Sequence, residues 1–255
     1  MAERLYVGGM RRWSRSFRAT VLQNILESRE PGLYELQQYL QGVRLDAKAP
    51  TFFERVKGFG ARVLSGFRFA FAKSVETPNL ERVGSEVTKH VRNQTKRVLG
   101  IDPATFSGGH EVETWRRTNV NLITQMTEEQ LGRIYAVLDE LGTSPVQVIA
   151  DRLAKEFGIT EQRAELIARD QTLKLNAQIT QGAHLAAGIT EYIWSTSKDA
   201  SVRDGHAELE GKRFSYADPP VVDPKTGRTA NPGEDYECRC IAVPYLPELE
   251  GLDLQ

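Results

Sequence analysis

Apolar residues recur every three or four positions over residues 80–188 and every second position from residue 190, so helices are predicted first and strands afterwards. Leu80, Val83, Val87, Val91, Val98 and Leu99 outline one helical face, with Gly100 as its stop and Pro103 just beyond. "TEEQ" at 127–130 and "SPVQ" at 144–147 have the capping-box spacing, which predicts a helix start at each, the second reinforced by Pro145 at the first helical position. Leu131, Ile134, Leu138 and Leu141 form the stripe of the first helix, ending at Gly142; Val148, Ile149, Leu153 and Phe157 serve the second, ending at Gly158. A third opens at Thr160 and runs to Gly188, with Ala164, Ile167, Ala168, Leu175, Ile179 and Ala183 inward and Arg169 and Asn176 two turns apart on one face. "TEYIWSTS" at 190–197 alternates as a strand does, Gly211 marks a turn, a Pro/Gly-rich loop covers 218–233, and "CRCIAVPYL" closes as a short strand. The fold class expected is α+β: a mostly helical N-terminal and middle region, then a small C-terminal α+β module.

Composition adds charge to this picture. Residues 1–100 hold 18 Lys and Arg against 9 Asp and Glu, whereas residues 101–255 hold 15 against 25. Such asymmetry suggests a polyanion facing the first half. Arg4, Arg11, Arg12, Arg15 and Arg18, interleaved with Trp13 and Phe17, would make an arm able to release counterions from a DNA duplex; the alternative is a solvated helix face with two core aromatics. The stretch 52–73 mixes six phenylalanines with Arg55, Lys57, Arg62, Arg68 and Lys73. Gly58, Gly60 and Gly66 weaken it as a membrane-surface helix and favour a partner-packed segment. No run approaches the roughly 18 apolar residues of a membrane span, and the N-terminus lacks a secretory signal's apolar stretch, so the chain is expected to remain where it is made. Two cysteines do not make a disulfide framework.

The chemically committed residues are His206, Cys238 and Cys240. They are zinc-ligand types, and Asp199 or Asp204 could complete a closed structural site, although a gap of one residue is shorter than the usual two to four between paired cysteines. In an extended strand the two Cα atoms would lie about 6.5–7 Å apart, at the limit for a disulfide. Two buried thiols beside a hydrogen-bonded histidine are the plainer alternative. A cysteine hydrolase would use the same residue types, but neither cysteine sits at a glycine-rich helix start that would activate it, and no phosphate-cradling loop or metalloprotease helix occurs. The expectation is therefore a non-enzyme. Arg203 and Asp199 are read as a self-bonded turn that docks the last strand onto Trp194.

The order "IARDQT…N", then "W.TS.D..VR..H..L.G", then "PGEDYECRC", resembles the phage Mu protein F-like family of phage minor head, or head morphogenesis, proteins. The resemblance covers roughly residues 120–245 and divides the chain into a basic, partner-binding arm at 1–105 and a minor head domain at 106–255. Its signature falls on Arg169, Asn176, Trp194, Asp199, Arg203, His206, Gly211, Pro232, Gly233, Cys238, Arg239 and Cys240. Many relatives read Arg-Thr-Glu where this chain has Arg169-Asp170-Gln171. The resemblance implies a virion protein made in the host cytoplasm and seated inside the capsid at the portal vertex. Its implied partners are the portal protein, the major capsid or scaffolding protein, and double-stranded DNA bound nonspecifically during assembly, packaging or ejection. The alternatives are a DNA-binding protein delivered with the genome, or an injected hydrolase. The tail of about fifteen residues after Cys240 is expected to leave no room for an added toxin domain.

Overall fold

The computed structural model describes residues 1–27, 78–100, 108–139 and 146–247. Its elements are helices α1 (Ala2–Glu27), α2 (Leu80–Leu99), α3 (Gly109–Asp139) and α4 (Val146–Ala186), strand β1 (Glu191–Ser195), a single turn α5 (Asp204–Ala207), and strands β2 (Arg213–Ser215), β3 (Val221–Asp223), β4 (Arg228–Thr229) and β5 (Ile241–Pro244). The α+β class expected from the sequence is the class observed. Among the described residues no helix is long and apolar enough to cross a membrane. The stretch 52–73, with Arg55, Lys57, Arg62 and Arg68, lies outside the described residues.

Helix ends follow local chemistry where the chain breaks. Asn79 caps α2 by accepting the Arg82 N–H at 2.9 Å, and Gly100, at φ 67°, donates its N–H to Lys96. Two predicted boundaries are absent. The helix expected to start at Thr127 is the interior of α3, where the Thr127 hydroxyl returns to the Ile123 carbonyl at 2.7 Å. The break expected between Gly158 and Thr160 is likewise the interior of α4; Thr160 bonds the Glu156 carbonyl at 2.8 Å. A threonine caps only a chain that arrives non-helical; when the preceding turn is helical, its hydroxyl bonds four residues back. Gly158 costs about 1 kcal/mol in such an interior, an amount the buried Leu153, Phe157 and Ala164 on the same helix offset. Val98 and Val148, assigned above to inward stripes, are exposed.

The chain forms two compact units, Met1–Tyr6 with Asn79–Asn119 and Ile167–Gln255, and Val7–Pro78 with Val120–Leu166. In the second unit Trp13 and Phe17 stack at 5.4 Å and Phe17 meets Phe157 edge-on at 6.4 Å, so the aromatics of the arginine-rich segment are core. Arg11 pairs with Glu165 at 2.6 Å, and Arg18 lies 5.6 Å from the centre of the Phe157 ring.

In the first unit, β2-β1-β5 form an antiparallel sheet, with Tyr192 opposite Phe214 and Trp194 opposite Ala242; β3 and β4 pair separately. Tyr192 and Trp194, two apart on β1, point to one face and pack with Leu209, Tyr216, Val222, Ala230, Cys238 and Cys240. Gly188, at φ 79°, lets the chain turn out of α4 into β1. Just before it, the buried His184 has Nδ1 2.6 Å from the Tyr216 hydroxyl.

Burial lowers the His184 pKa to about 4, whereas the unfolded chain takes up that proton near 6.5. Unfolded molecules therefore bind more protons between these values, and stability falls as pH drops from about 6.5 to 4, by about 3 kcal/mol over the window. His184→Gln, which keeps an acceptor for Tyr216, is expected to remove this part of the slope. Urea denaturation of both proteins at stepped pH measures it, and parallel pH profiles would contradict the assignment.

Candidate functional site around His206 and the cysteine pair

Three segments meet at this site: the turn and helix at 199–206, the loop at 231–240, and the middle of α4. Cys238 and Cys240 lie in the loop just before β5, so the extended-strand geometry expected of them does not apply. Both are buried and neither is in a disulfide. His206, also buried, places Nδ1 3.5 Å from Cys238 Sγ and 3.6 Å from Cys240 Sγ.

The opposite nitrogen of the ring, Nε2, is 3.0 Å from Asp235 Oδ2. Asp235 is almost fully buried and accepts on both oxygens: Arg203 Nη1 at 3.1 Å joins His206 on Oδ2, while the Tyr236 N–H at 2.7 Å and the Arg228 guanidinium approach Oδ1. Four donors fill the lone-pair positions of a carboxylate. Nε2 is accordingly the donor, which fixes the tautomer and leaves the Nδ1 lone pair directed at the sulfurs.

Cys238 also faces an N–H group: the Gly233 amide donates to its Sγ at 3.4 Å. The buried Trp194 indole N–H has no hydrogen-bond partner among the described residues. Cys238 is drawn below the ordinary thiol range, to about 6, chiefly by its hydrogen bond from Cys240 and then by backbone N–H groups, against its burial. Cys240 moves upward, because it donates that bond and is desolvated. Neither cysteine sits at a helix start.

The remaining signature residues form the frame. Arg203 does not bond Asp199 as expected; it reaches across to Asp235 and to the Tyr236 carbonyl at 2.5 Å. Asp199 instead takes a two-pronged contact from Arg239, at 2.6 and 2.8 Å, which holds its carboxyl down to about 2. Both carboxylates thereby tie the 199–206 segment to the 235–239 loop. Neither Asp199 nor Asp204 joins the His206, Cys238 and Cys240 cluster, so the fourth ligand expected of them is not supplied. Gly211, at φ 71°, donates to the Trp194 carbonyl at 2.8 Å and turns the chain into β2. Arg169 lines an open cavity of about 470 Å³ with Arg203, His206, Cys238, Arg239 and Cys240. Asn176 lines a smaller one of about 80 Å³ beside Pro232 and Gly233. Arg4, Arg11, Arg12, Arg15 and Arg18 are all exposed on α1.

Gly233 shows how closely the loop approaches α4. Its φ is 85°, and a Cβ there would come within 2.7 Å of Ala177 Cβ. Gly233→Ala is expected to cost roughly 1–3 kcal/mol from the left-handed backbone and more from the overlap. A fall in melting temperature measures the loss; an unchanged value would show that the loop can withdraw.

Sequence reasoning missed two carboxylates. Asp235 lies inside the quoted "PGEDYECRC" but is not among the signature positions named for the resemblance. Asp170, buried on α4, accepts the Glu237 N–H at 2.7 Å and the Lys174 ammonium at 2.7 Å, docking the loop onto the helix. No local pattern marks it, since two residues on from Ala168 it lies about 200° round the helix from that member of the inward stripe. The neighbouring Gln171 bonds Asp170 through its amide and accepts the Trp115 indole N–H on its backbone carbonyl at 2.8 Å.

Chemically, the arrangement offers two soft donors and one imidazole lone pair converging from buried walls. Two sulfurs at matching distances from one imidazole nitrogen are ligand types that suit a zinc-class ion.

Residues 142–243, which include every residue of this site, match the family model described as phage Mu protein F like protein. An uncharacterised protein of Haemophilus influenzae is 30% identical over 267 aligned residues, covering 92% of this chain and 58% of that protein. The chain thus spans somewhat over half the length of the curated relative it matches. No solved structure matches.

Proposed function

We propose that this chain, which carries a phage Mu protein F like region over residues 142–243, acts as a head-morphogenesis protein of a tailed bacteriophage and is a component of the virion. The observation that carries the reading is that the matched region includes the whole of the His206 cluster and its frame, so the family likeness extends to the residues that hold the C-terminal module together. The buried Asp235, shared by Arg203 and Arg228, fastens the α5 turn to the 231–240 loop as a rigid module requires.

The finer placement is inside the capsid at the portal vertex, in few copies, against the portal protein and next to the major capsid or scaffolding protein. The exposed arginines of α1 would meet packaged DNA through phosphate contacts, independent of sequence.

Mass spectrometry and cryo-EM of procapsids and mature particles from a phage encoding this chain test the proposal. The expected result is the chain at low copy with density at the portal vertex. Its absence from both particles would overturn the assembly role, and density spread over the shell would overturn the vertex. For DNA, log-affinity against log-salt should be steep, and Arg11, Arg12, Arg15 and Arg18 replaced together by Gln should flatten it by up to about 0.9 per lost phosphate contact. An unchanged slope would remove DNA from the list of partners.

A further inference from the structure

We infer that His206 Nδ1, Cys238 Sγ and Cys240 Sγ bind one zinc-class divalent ion whose fourth coordination position opens into the adjoining cavity. Distances carry the argument. A tetrahedral zinc holding nitrogen at about 2.05 Å and sulfur at about 2.3 Å sets N and S about 3.5 Å apart. The two observed separations are 3.5 and 3.6 Å, and all three donor atoms lie within 4.8 Å of one another. An ion enters with little movement of the imidazole.

The surroundings complete the match. Asp235 accepts the hydrogen bond from Nε2–H and so aims the Nδ1 lone pair inward, the carboxylate–histidine–metal relation that orients ligating histidines. The Gly233 amide faces the Cys238 sulfur at 3.4 Å. Such a donor supports a metal-bound thiolate, whose residual negative charge accepts hydrogen bonds. Among the described residues no other His, Cys, Asp or Glu joins the set, and all three ligands line the same open cavity. The closed structural site expected from sequence therefore becomes a three-ligand centre, with water or a small anion as fourth ligand. Arg169, Arg203 and Arg239 line the cavity wall together with Glu3 and Glu237, so both signs of charge surround the open position. Binding would fasten the α5 turn to the loop that leads into β5.

The test uses the full chain, purified under reducing conditions, with zinc and cobalt as probes. Elemental analysis after zinc loading and desalting should find one zinc per chain. Titration with cobalt(II) should give tetrahedral visible bands and near-ultraviolet thiolate charge transfer, saturating at one equivalent and abolished by one equivalent of zinc. Azide should shift the visible bands if the fourth position is open. In the wild-type protein both thiols should react with a disulfide reagent slowly when zinc is present and at least tenfold faster after chelation. Cys238→Ser and Cys240→Ser should each lose about half of the charge-transfer intensity, and His206→Gln should weaken zinc binding at least tenfold. The absence of stoichiometric metal, with thiol reactivity unaffected by zinc or chelator, would overturn the site on wild-type measurements alone. A ready disulfide between the two cysteines that zinc does not prevent would also overturn it. Cobalt bands unmoved by azide would overturn the open position.

Discussion

Trp194→Ala is expected to destabilise the C-terminal module by about 3–5 kcal/mol, the range for truncating a fully buried large aromatic. Trp194 is 0% exposed. It packs edge-on against His206 at 5.5 Å and Phe214 at 6.4 Å, and its strand is paired on both sides. The deletion removes the wall behind His206. Trp194→Phe should cost clearly less, because it keeps most of the apolar volume. Thermal melts, with hydrogen exchange of residues 189–245, measure both variants. A Trp194→Ala protein that melts with the wild type and protects β1 normally would show that the module's core lies elsewhere.

Asp235→Ala should have a comparable effect, about 3–5 kcal/mol, because removing one member of a buried ionic set strands the others. Arg203, Arg228 and His206 Nε2 would all lose their shared acceptor. Replacing Arg228 alone should cost less, since its side chain is half exposed and water can partly take its place. Denaturant titration of the two variants tests the ordering. Equal losses would mean that the carboxylate is held mainly by Arg228 and that the histidine contact adds little.

The residue types of the site are legible in the sequence itself. His206, Cys238 and Cys240 are few, soft and committed, and their order marks them as a set. The carboxylates that arrange them are not legible there. Asp235 and Asp170 gain meaning only when the loop reaches α4, 67 positions back along the chain at the Glu237 contact, and no local pattern encodes that approach. The helical stretches read well from periodicity, and the joins do not: Thr127 has the spacing of a capping box and Thr160 follows the expected stop at Gly158, yet each continues a helix whose buried face extends past it. The arginine-rich segment has two readings in sequence, and Trp13 and Phe17 belong to the core as the blander one requires.

The strand order β2-β1-β5 also has a consequence in time. The central strand is made early, but its second neighbour is separated from it by some 45 residues of turns and short elements. Pairing across so long a loop is entropically late. On a ribosome, Trp194 waits uncovered until residue 244 has emerged, and both thiols belong to the segment that arrives last. Synthesis interrupted before β5 would leave a sticky, half-made sheet as a substrate for chaperones.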